Sequence, residues 1–215
     1  MKLFFLFTFA LIINLTYGQK KQCSCTADSL IDQNTTDCKT TVLQNKALLY
    51  WQFNCDSIWL TLQNKEGRRI ILDKVPIEYY SYTFRLGYRL VKEYKNSLLF
   101  RSGCPANGPC NFVLINKNTG KLIHEFGELI YDHEIRKFYD FILYFSSPGK
   151  LALHYIDSDK KYTIGVDSTH FKAVIPEYLF EKIELEKTKL ILVYDVGQLN
   201  KNGTIVIDLN KYPSK

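Results

Sequence analysis

The chain has 215 residues, a formal net charge of +6 and six cysteines. This length suits one domain or two small ones. The basic residues are scattered among many carboxylates instead of clustering on one element, which argues against nucleic-acid binding. We therefore expect no nucleic-acid partner.

The first 18 residues have the pattern of a secretory signal peptide. Lys2 supplies a positive charge, the run Leu3–Leu15 is almost entirely apolar, and Gly18 precedes a polar segment. The apolar run is shorter than the roughly 20 residues of a transmembrane helix, so no membrane span is expected. Cleavage after Gly18 predicts a soluble protein, secreted or periplasmic, that begins at Gln19.

Residues 19–46 form a polar, cysteine-rich N-terminal arm. An even number of cysteines in an exported chain predicts disulfides. The turn-rich segment 105–109 predicts a bridge between Cys104 and Cys110. Four more cysteines leave three pairings open: Cys23, Cys25, Cys38 and Cys55. A soft-metal site at the first two is disfavoured because no histidine lies near them, and we expect no metal and no cofactor.

Residues 47–215 predict a single domain of repeated β-meanders. Short apolar runs alternate with turns rich in Asn, Asp and Gly, as expected for hairpins. The predicted hairpins pair residues 58–62 with 69–72, 112–115 with 121–123, and 151–156 with 162–164. Further apolar runs precede them at 48–51, 98–100 and 142–145, and a last run at 190–194 precedes 204–207.

The repetition of this meander every 40 to 50 residues predicts an all-β, propeller-like fold with about four blades. Three runs are apolar throughout, which predicts strands that are covered on both faces. They are Leu98–Phe100, Ile142–Phe145 and Leu190–Tyr194. A β-sandwich of the same strands is the alternative fold. The stretch Tyr178–Glu186 fits either a short helix or a strand.

The sequence contains no familiar catalytic motif, which argues against an enzyme without excluding one. The four histidines are His124, His133, His154 and His170. The first and third lie in predicted strands, where a ring satisfied by a backbone group is the simpler interpretation. In a strand, His133 would point away from Asp132 and Glu134. The segment Asp167–His170 holds triad-like residues, but neighbours in sequence rarely reach triad geometry.

The aromatic stretch Glu78–Tyr94 is the strongest candidate for a binding surface. Six residues form the predicted site: Tyr80, Tyr82, Phe84, Arg85, Tyr88 and Arg89. The first three would share one face of a strand, and tyrosine beside arginine is typical of recognition surfaces. Packing of these rings between blades is the alternative. The loop 103–109, if closed by its disulfide, is a second candidate because a rigid loop loses little entropy on binding.

The run Tyr50-Trp51-Gln52-Phe53-Asn54-Cys55-Asp56-Ser57-Ile58-Trp59-Leu60 resembles a stretch of uncharacterised secreted proteins of the Bacteroidetes. In those proteins a cysteine-rich segment also precedes the strand. The resemblance covers residues 20–75. It implies an exported protein of the cell envelope and assigns no role to any residue.

These features together predict a secreted or periplasmic binding module for a protein or glycan partner, one form of which is an inhibitor or immunity protein. A first alternative is an envelope hydrolase that uses Asp or Glu with a histidine. A second is a structural component of the envelope without a discrete ligand.

Overall fold

The structure, a computed structural model, describes residues 23–25, 38–82, 87–103, 110–133, 136–167, 169, 175–198 and 201–215, without the side chains of 80–82, 197, 198 and 201. Within these ranges the chain is nearly all-β and contains no α-helix. Its helical turns there are the 3-10 helices Ile77–Tyr82, Pro176–Leu179 and Leu209–Lys211.

Fourteen strands of the described chain form four antiparallel sheets in chain order. The first sheet holds β1 (Thr40–Val42), β2 (Leu48–Phe53), β3 (Ser57–Gln63) and β4 (Arg69–Pro76). The second holds β5 (Arg89–Glu93), β6 (Ser97–Ser102), β7 (Asn111–Asn116) and β8 (Leu122–Phe126). The third holds β9 (Phe141–Ser147), β10 (Lys150–Tyr155) and β11 (Lys160–Gly165). The fourth holds β12 (Phe180–Glu186), β13 (Lys189–Gln198) and β14 (Lys201–Asp208).

Each strand pairs with its neighbour in sequence, so every sheet is a meander. This confirms the prediction of an all-β, propeller-like fold with about four blades. The alternative of a β-sandwich is wrong, because the strands divide among four sheets instead of two. The stretch Tyr178–Glu186 ends a 3-10 helix and then forms β12.

The three predicted hairpins are confirmed as β3–β4, β7–β8 and β10–β11. Their turns contain residues with a left-handed backbone, namely Gly67 (φ +83°), Gly120 (φ +68°) and Asp159 (φ +54°). Glycine and aspartate are among the residues that tolerate this conformation best. Local turn chemistry therefore sets these three connections.

Hydrophobic clusters join each sheet to the next one in the chain. In β6, Leu98 and Phe100 pack against the first sheet, and Leu99 packs toward the third. In β9, Ile142 faces the second sheet, whereas Phe141 and Leu143 face the fourth. The prediction that these two apolar runs are covered on both faces is confirmed.

The fourth sheet departs from that prediction. Leu190 and Leu192 are fully buried against the third sheet. Ile191 and Val193 on the other face are only half-buried, and Val206 beside them is 56% exposed. No described core cluster combines residues of the first and fourth sheets. The run Leu190–Tyr194 is therefore fully covered on one face only.

A buried ion pair within the second sheet is hydrogen-bonded to the turn between β1 and β2 of the first sheet. The Lys117 ammonium is 2.9 Å from the Glu93 carboxylate and also donates to the Tyr94 carbonyl at 2.9 Å. The same carboxylate oxygen accepts the Gln44 N–H at 2.8 Å. Lys117 is only 2% exposed, so Glu93 and the Tyr94 carbonyl replace its hydration shell.

The predicted disulfides of the N-terminal arm are confirmed, and their pairing is Cys23–Cys38 and Cys25–Cys55. Cys110 is also disulfide-bonded, and Cys104 lies outside the described residues. Such bonds persist in oxidising compartments. No helix in the described part of the chain is long and apolar enough to cross a membrane. Residues 1–22 are not described, so the signal peptide stays a prediction.

Candidate functional site

A cavity of about 460 Å³, the cleft, lies between the first and second sheets. It is lined by Lys39, Thr41, Leu49, Tyr50, Trp51, Leu60, Tyr88, Arg89, Leu90, Val91, Phe100, Arg101, Tyr131, Arg136 and Phe138. Its walls are thus β1, β2 and β3 on one side, β5 and β6 on the other, and a segment that precedes the third sheet. This volume is within the range of small-ligand sites.

The cleft is strongly basic. Lys39, Arg89 and Arg136 are exposed at its lining, and Arg101 is half-buried there. None of the described lining residues is Asp or Glu. A concave wall with one sign of charge concentrates field lines and attracts ligands of the opposite charge. The cleft is therefore suited to an anionic group.

Aromatic rings form much of the remaining wall and hold one another in place. The Tyr88 ring stacks on Phe100 with 5.5 Å between centroids, and Tyr131 stacks on Phe138 at 4.8 Å. Trp51 is half-buried between two core clusters. Rings fixed by packing lose little entropy on binding, so this wall offers a rigid apolar contact surface.

Two polar contacts set the position of the cleft wall. The Tyr88 N–H donates to the Asp73 carboxylate at 3.0 Å. Burial raises the pKa of Asp73, while this hydrogen bond opposes the rise. Burial also raises the pKa of Tyr131, and the neighbouring Arg101 guanidinium, which donates to its hydroxyl, opposes that shift. Arg101 is thus oriented at the cleft by a buried tyrosine.

A second cavity, of about 850 Å³, lies beyond the cleft. It is lined by Asp132, His133, Tyr178, Phe180, Glu181, Lys182, Val193 and Asn202. The segment that precedes the third sheet separates the two cavities, because Tyr131 lines the cleft and His133 lines the second cavity. The second cavity carries both signs of charge, unlike the cleft.

Glu128 is a buried carboxyl behind the second cavity. It is 5% exposed, and it accepts hydrogen bonds from the Cys110 N–H at 2.6 Å, the Tyr178 hydroxyl at 3.1 Å and the Leu129 N–H at 3.3 Å. Burial raises its pKa from 4.5 to about 7, against the effect of these hydrogen bonds. Burial, together with the nearby Glu128 charge, raises the pKa of Tyr178 to about 12.

His133 lies against two aromatic rings at the second cavity. Its ring centroid is 4.2 Å from that of Tyr131 and 4.7 Å from that of Tyr178. Burial lowers its pKa, and the Asp132 charge opposes the shift. A histidine with a lowered pKa is neutral at pH 7, and neutral imidazole is the form that accepts a proton.

The predicted binding surface is only partly present at the cleft. Tyr88 and Arg89 line it. The prediction of a strand through Tyr80 and Tyr82 is wrong, because both residues lie in the 3-10 helix Ile77–Tyr82, and their side chains are not described. Phe84 and Arg85 lie outside the described residues, as do residues 104–109 of the second candidate loop.

The other histidines have local roles or lie outside the described chain. His154 is buried, and its Nε2 is 2.8 Å from the Asp159 carboxylate, so its partner is a side chain and not the expected backbone group. His124 in β8 packs edge-on against Phe126 at 4.3 Å. The Asp167 carboxylate accepts the N–H and hydroxyl of Thr169, whereas position 170 is not described.

Residues 132 and 133 do not form the strand in which His133 would point away from Asp132. Asp132 pairs with Lys137 in an isolated bridge, and His133 lies in the turn between them. Glu134 is not described. Within the described part of the chain, no group of three or more His, Cys, Asp or Glu side chains is arranged to hold a metal ion.

Sequence reasoning missed three of the residues that define the cleft. Arg101 directly follows the apolar run of β6, and its position at the end of a buried strand is a signal that could have been used. Tyr131 and Arg136 lie in an irregular segment. They reach the cleft because the third sheet stacks on the second, which no local pattern reveals.

Fold and cleft together define an all-β, propeller-like protein with a basic, aromatic cavity between two of its sheets. No protein-family model and no curated protein matches the chain. Among solved structures, it is similar to a chain described under "Structural and Mechanistic Analysis of Two Prolyl Endopeptidases: Role of Inter-Domain Dynamics in Catalysis and Specificity". The identity is 14% and the TM-score 0.41, over 80% of this chain and 26% of that chain. This chain thus spans about a quarter of that chain's length.

Proposed function

We propose that this protein is a secreted or periplasmic recognition module that binds an acidic partner, a protein or a glycan, in the cleft. One observation carries the proposal: four cationic side chains and a rigid aromatic wall surround a cavity of about 460 Å³ in which no described lining residue is acidic. A cleft of this kind attracts anions over long range and then offers flat apolar contact at short range. Steric capture of a partner, as by an inhibitor or immunity protein, is one form of this function.

The disulfides support the compartment in this proposal. Two described bridges tie the N-terminal arm to itself and to the turn between β2 and β3. Bonds of this kind are kept in oxidising surroundings, such as the periplasm or the exterior of the cell. Export through the predicted signal peptide would bring the chain there.

The test uses two acidic polymers, poly-glutamate and polygalacturonate, at physiological salt. Arg89 and Arg136 are exposed, so replacing both by alanine leaves the core intact. At about 1 kcal/mol for each ion pair lost from an exposed arginine, Kd rises roughly thirtyfold in the double variant. The matched control replaces Arg68 and Arg69, which are exposed at the start of β4 and do not line the cleft.

An unchanged Kd in the control, together with weaker binding in the Arg89→Ala, Arg136→Ala variant, supports the cleft as the binding site. Equal losses in both variants would show that binding follows net charge alone. Failure of the wild-type protein to bind either polymer would refute the acidic-ligand proposal.

The second cavity favours a second candidate function, a hydrolase that uses a carboxyl group and a histidine. Glu128 has a pKa near 7 and bonds to Tyr178, which borders the cavity beside His133. Groups that titrate near the working pH are suited to general acid–base catalysis. Glu128 does not itself line the cavity, and the recognition module is therefore the better supported function. If the wild-type protein hydrolysed an envelope polymer and the Glu128→Gln variant did not, the hydrolase would become the better supported function.

A further inference from the structure

The backbone edge of β5 faces the cleft. β5 is the first strand of the second sheet, and among the described strands its pairing partner is β6 alone. Four consecutive residues line the cleft: Tyr88, which directly precedes β5, and 89–91, the first three residues of the strand. Neighbouring side chains of a strand point to opposite faces of the sheet, so a cavity that touches all four runs along the edge of the strand and not over one face.

An edge strand directs the N–H and C=O groups of every second residue away from its own sheet. Here the pairing with β6 also shifts register between Leu90 and Lys92, which leaves Val91 as an extra residue of β5 without a partner on β6. Bulges of this kind are frequent at sheet edges and beside functional sites. The cleft is thus bordered by backbone groups as well as by charged side chains.

Both observations point to a polypeptide ligand. A glycan satisfies the cationic side chains but has no alternating N–H and C=O groups to continue a sheet. An extended peptide satisfies both, with its backbone on β5 and acidic side chains toward Arg89 and Arg136. The Tyr88 N–H already donates to the Asp73 carboxylate. The edge for pairing is therefore 89–91, which at about 3.3 Å per residue accommodates about three residues of such a strand.

We propose that the cleft binds an extended acidic peptide segment of a partner protein, which adds to the inner edge of β5 as a further strand. This inference rests on the proposed function, because it names the class of ligand that the same cleft takes. Main-chain hydrogen bonds supply affinity in this mode of recognition, and the cations select acidic side chains.

The test compares three synthetic hexapeptides with alternating Glu and Val by NMR titration of the oxidised, signal-free protein. The first peptide is unmodified, the second is N-methylated at every Glu, and the third is N-methylated at every Val. Only alternate N–H groups of an added strand point at β5, so one methylated peptide loses at least tenfold in affinity and the other binds like the parent. Amide signals of residues 88–91 shift in the two complexes that form.

If both methylated peptides bind like the unmodified peptide, or if both lose affinity, strand addition is refuted. A hexamer of galacturonate is the fourth probe and separates this inference from the proposed function. If galacturonate binds and the unmodified peptide does not, the acidic-ligand cleft stands and strand addition is refuted. If neither binds, both proposals fail.

Discussion

The buried carboxyl of Glu128 predicts a specific effect of the Glu128→Gln substitution on stability. Glutamine has nearly the same shape and cannot ionise. Its amide oxygen accepts the hydrogen bonds from Cys110 and Tyr178, which share one carboxylate oxygen in the structure. Its amide nitrogen cannot accept the long bond from Leu129, and this loss costs about 1 kcal/mol.

The sign of the pH dependence follows from the raised pKa. Between pH 4.5 and about 7 the folded protein keeps the Glu128 proton, whereas the unfolded chain releases it. The free energy of unfolding therefore falls as pH rises through this window and levels off above it. At 1.36 kcal/mol per pKa unit, the 2.5 units between these values amount to about 3 kcal/mol.

We expect Glu128→Gln to be about 2 kcal/mol more stable than the wild-type protein at pH 8 and within about 1 kcal/mol of it at pH 4.5. Urea unfolding at several pH values, followed by far-UV circular dichroism and tryptophan fluorescence, measures this difference. Taking the difference from wild type removes the contribution of His133, whose lowered pKa produces the opposite slope. Glu125→Gln, a change at an exposed neighbour, is the control. A variant that keeps the wild-type slope would show that Glu128 does not cause the pH dependence.

Three further predictions concern the sheets and their connections. Replacing Lys117 by Met leaves the Glu93 carboxylate without its cation in a largely buried site, and we expect the free energy of unfolding in urea titrations to fall by about 3 kcal/mol. A variant as stable as wild type would contradict this prediction. Gly120→Ala places a Cβ 2.6 Å from the Ile70 side chain on a residue with a positive φ, so we expect the Tm to fall by several degrees. An unchanged Tm would show that the turn relaxes without a loss of stability. Replacing both cysteines of the Cys25–Cys55 bridge, which spans 30 residues, costs about 3.6 kcal/mol by the loop-entropy model. A double variant that resists urea as well as wild type would count against this prediction.

The hairpins were predictable because their signals are local. Alternating or continuous apolar runs, joined by turns with Asn, Asp or Gly, determine where the strands begin and end. The turn at Gly120 is an example, since its left-handed backbone is available to glycine at no steric cost. The face assignments in β6 also followed from the run itself, because three consecutive apolar residues require cover on both sides.

The strand expected through Tyr80 and Tyr82 failed for a topological reason. The chain must pass from β4, the last strand of one sheet, to β5, the first strand of the next. The Ile77 N–H donates to the Asp56 carbonyl at the end of the first sheet, and the chain turns there as a 3-10 helix. Alternation of aromatic residues predicts a strand only where a neighbouring strand is present to pair with it.

The fold class, the repeating meander, the three hairpin turns and the use of cysteines in disulfides were all predictable from the amino-acid sequence. These properties depend on residues close together in the chain. The pairing of the arm cysteines, the basic cleft and the buried position of Glu128 became visible only in the three-dimensional structure. Arg101 and Arg136 lie 35 positions apart in the chain, and they line one cavity because successive sheets stack through apolar clusters. Hydrophobic packing is non-directional, so the apolar residues that bring the sheets together do not indicate which polar side chains will meet at the sheet edges.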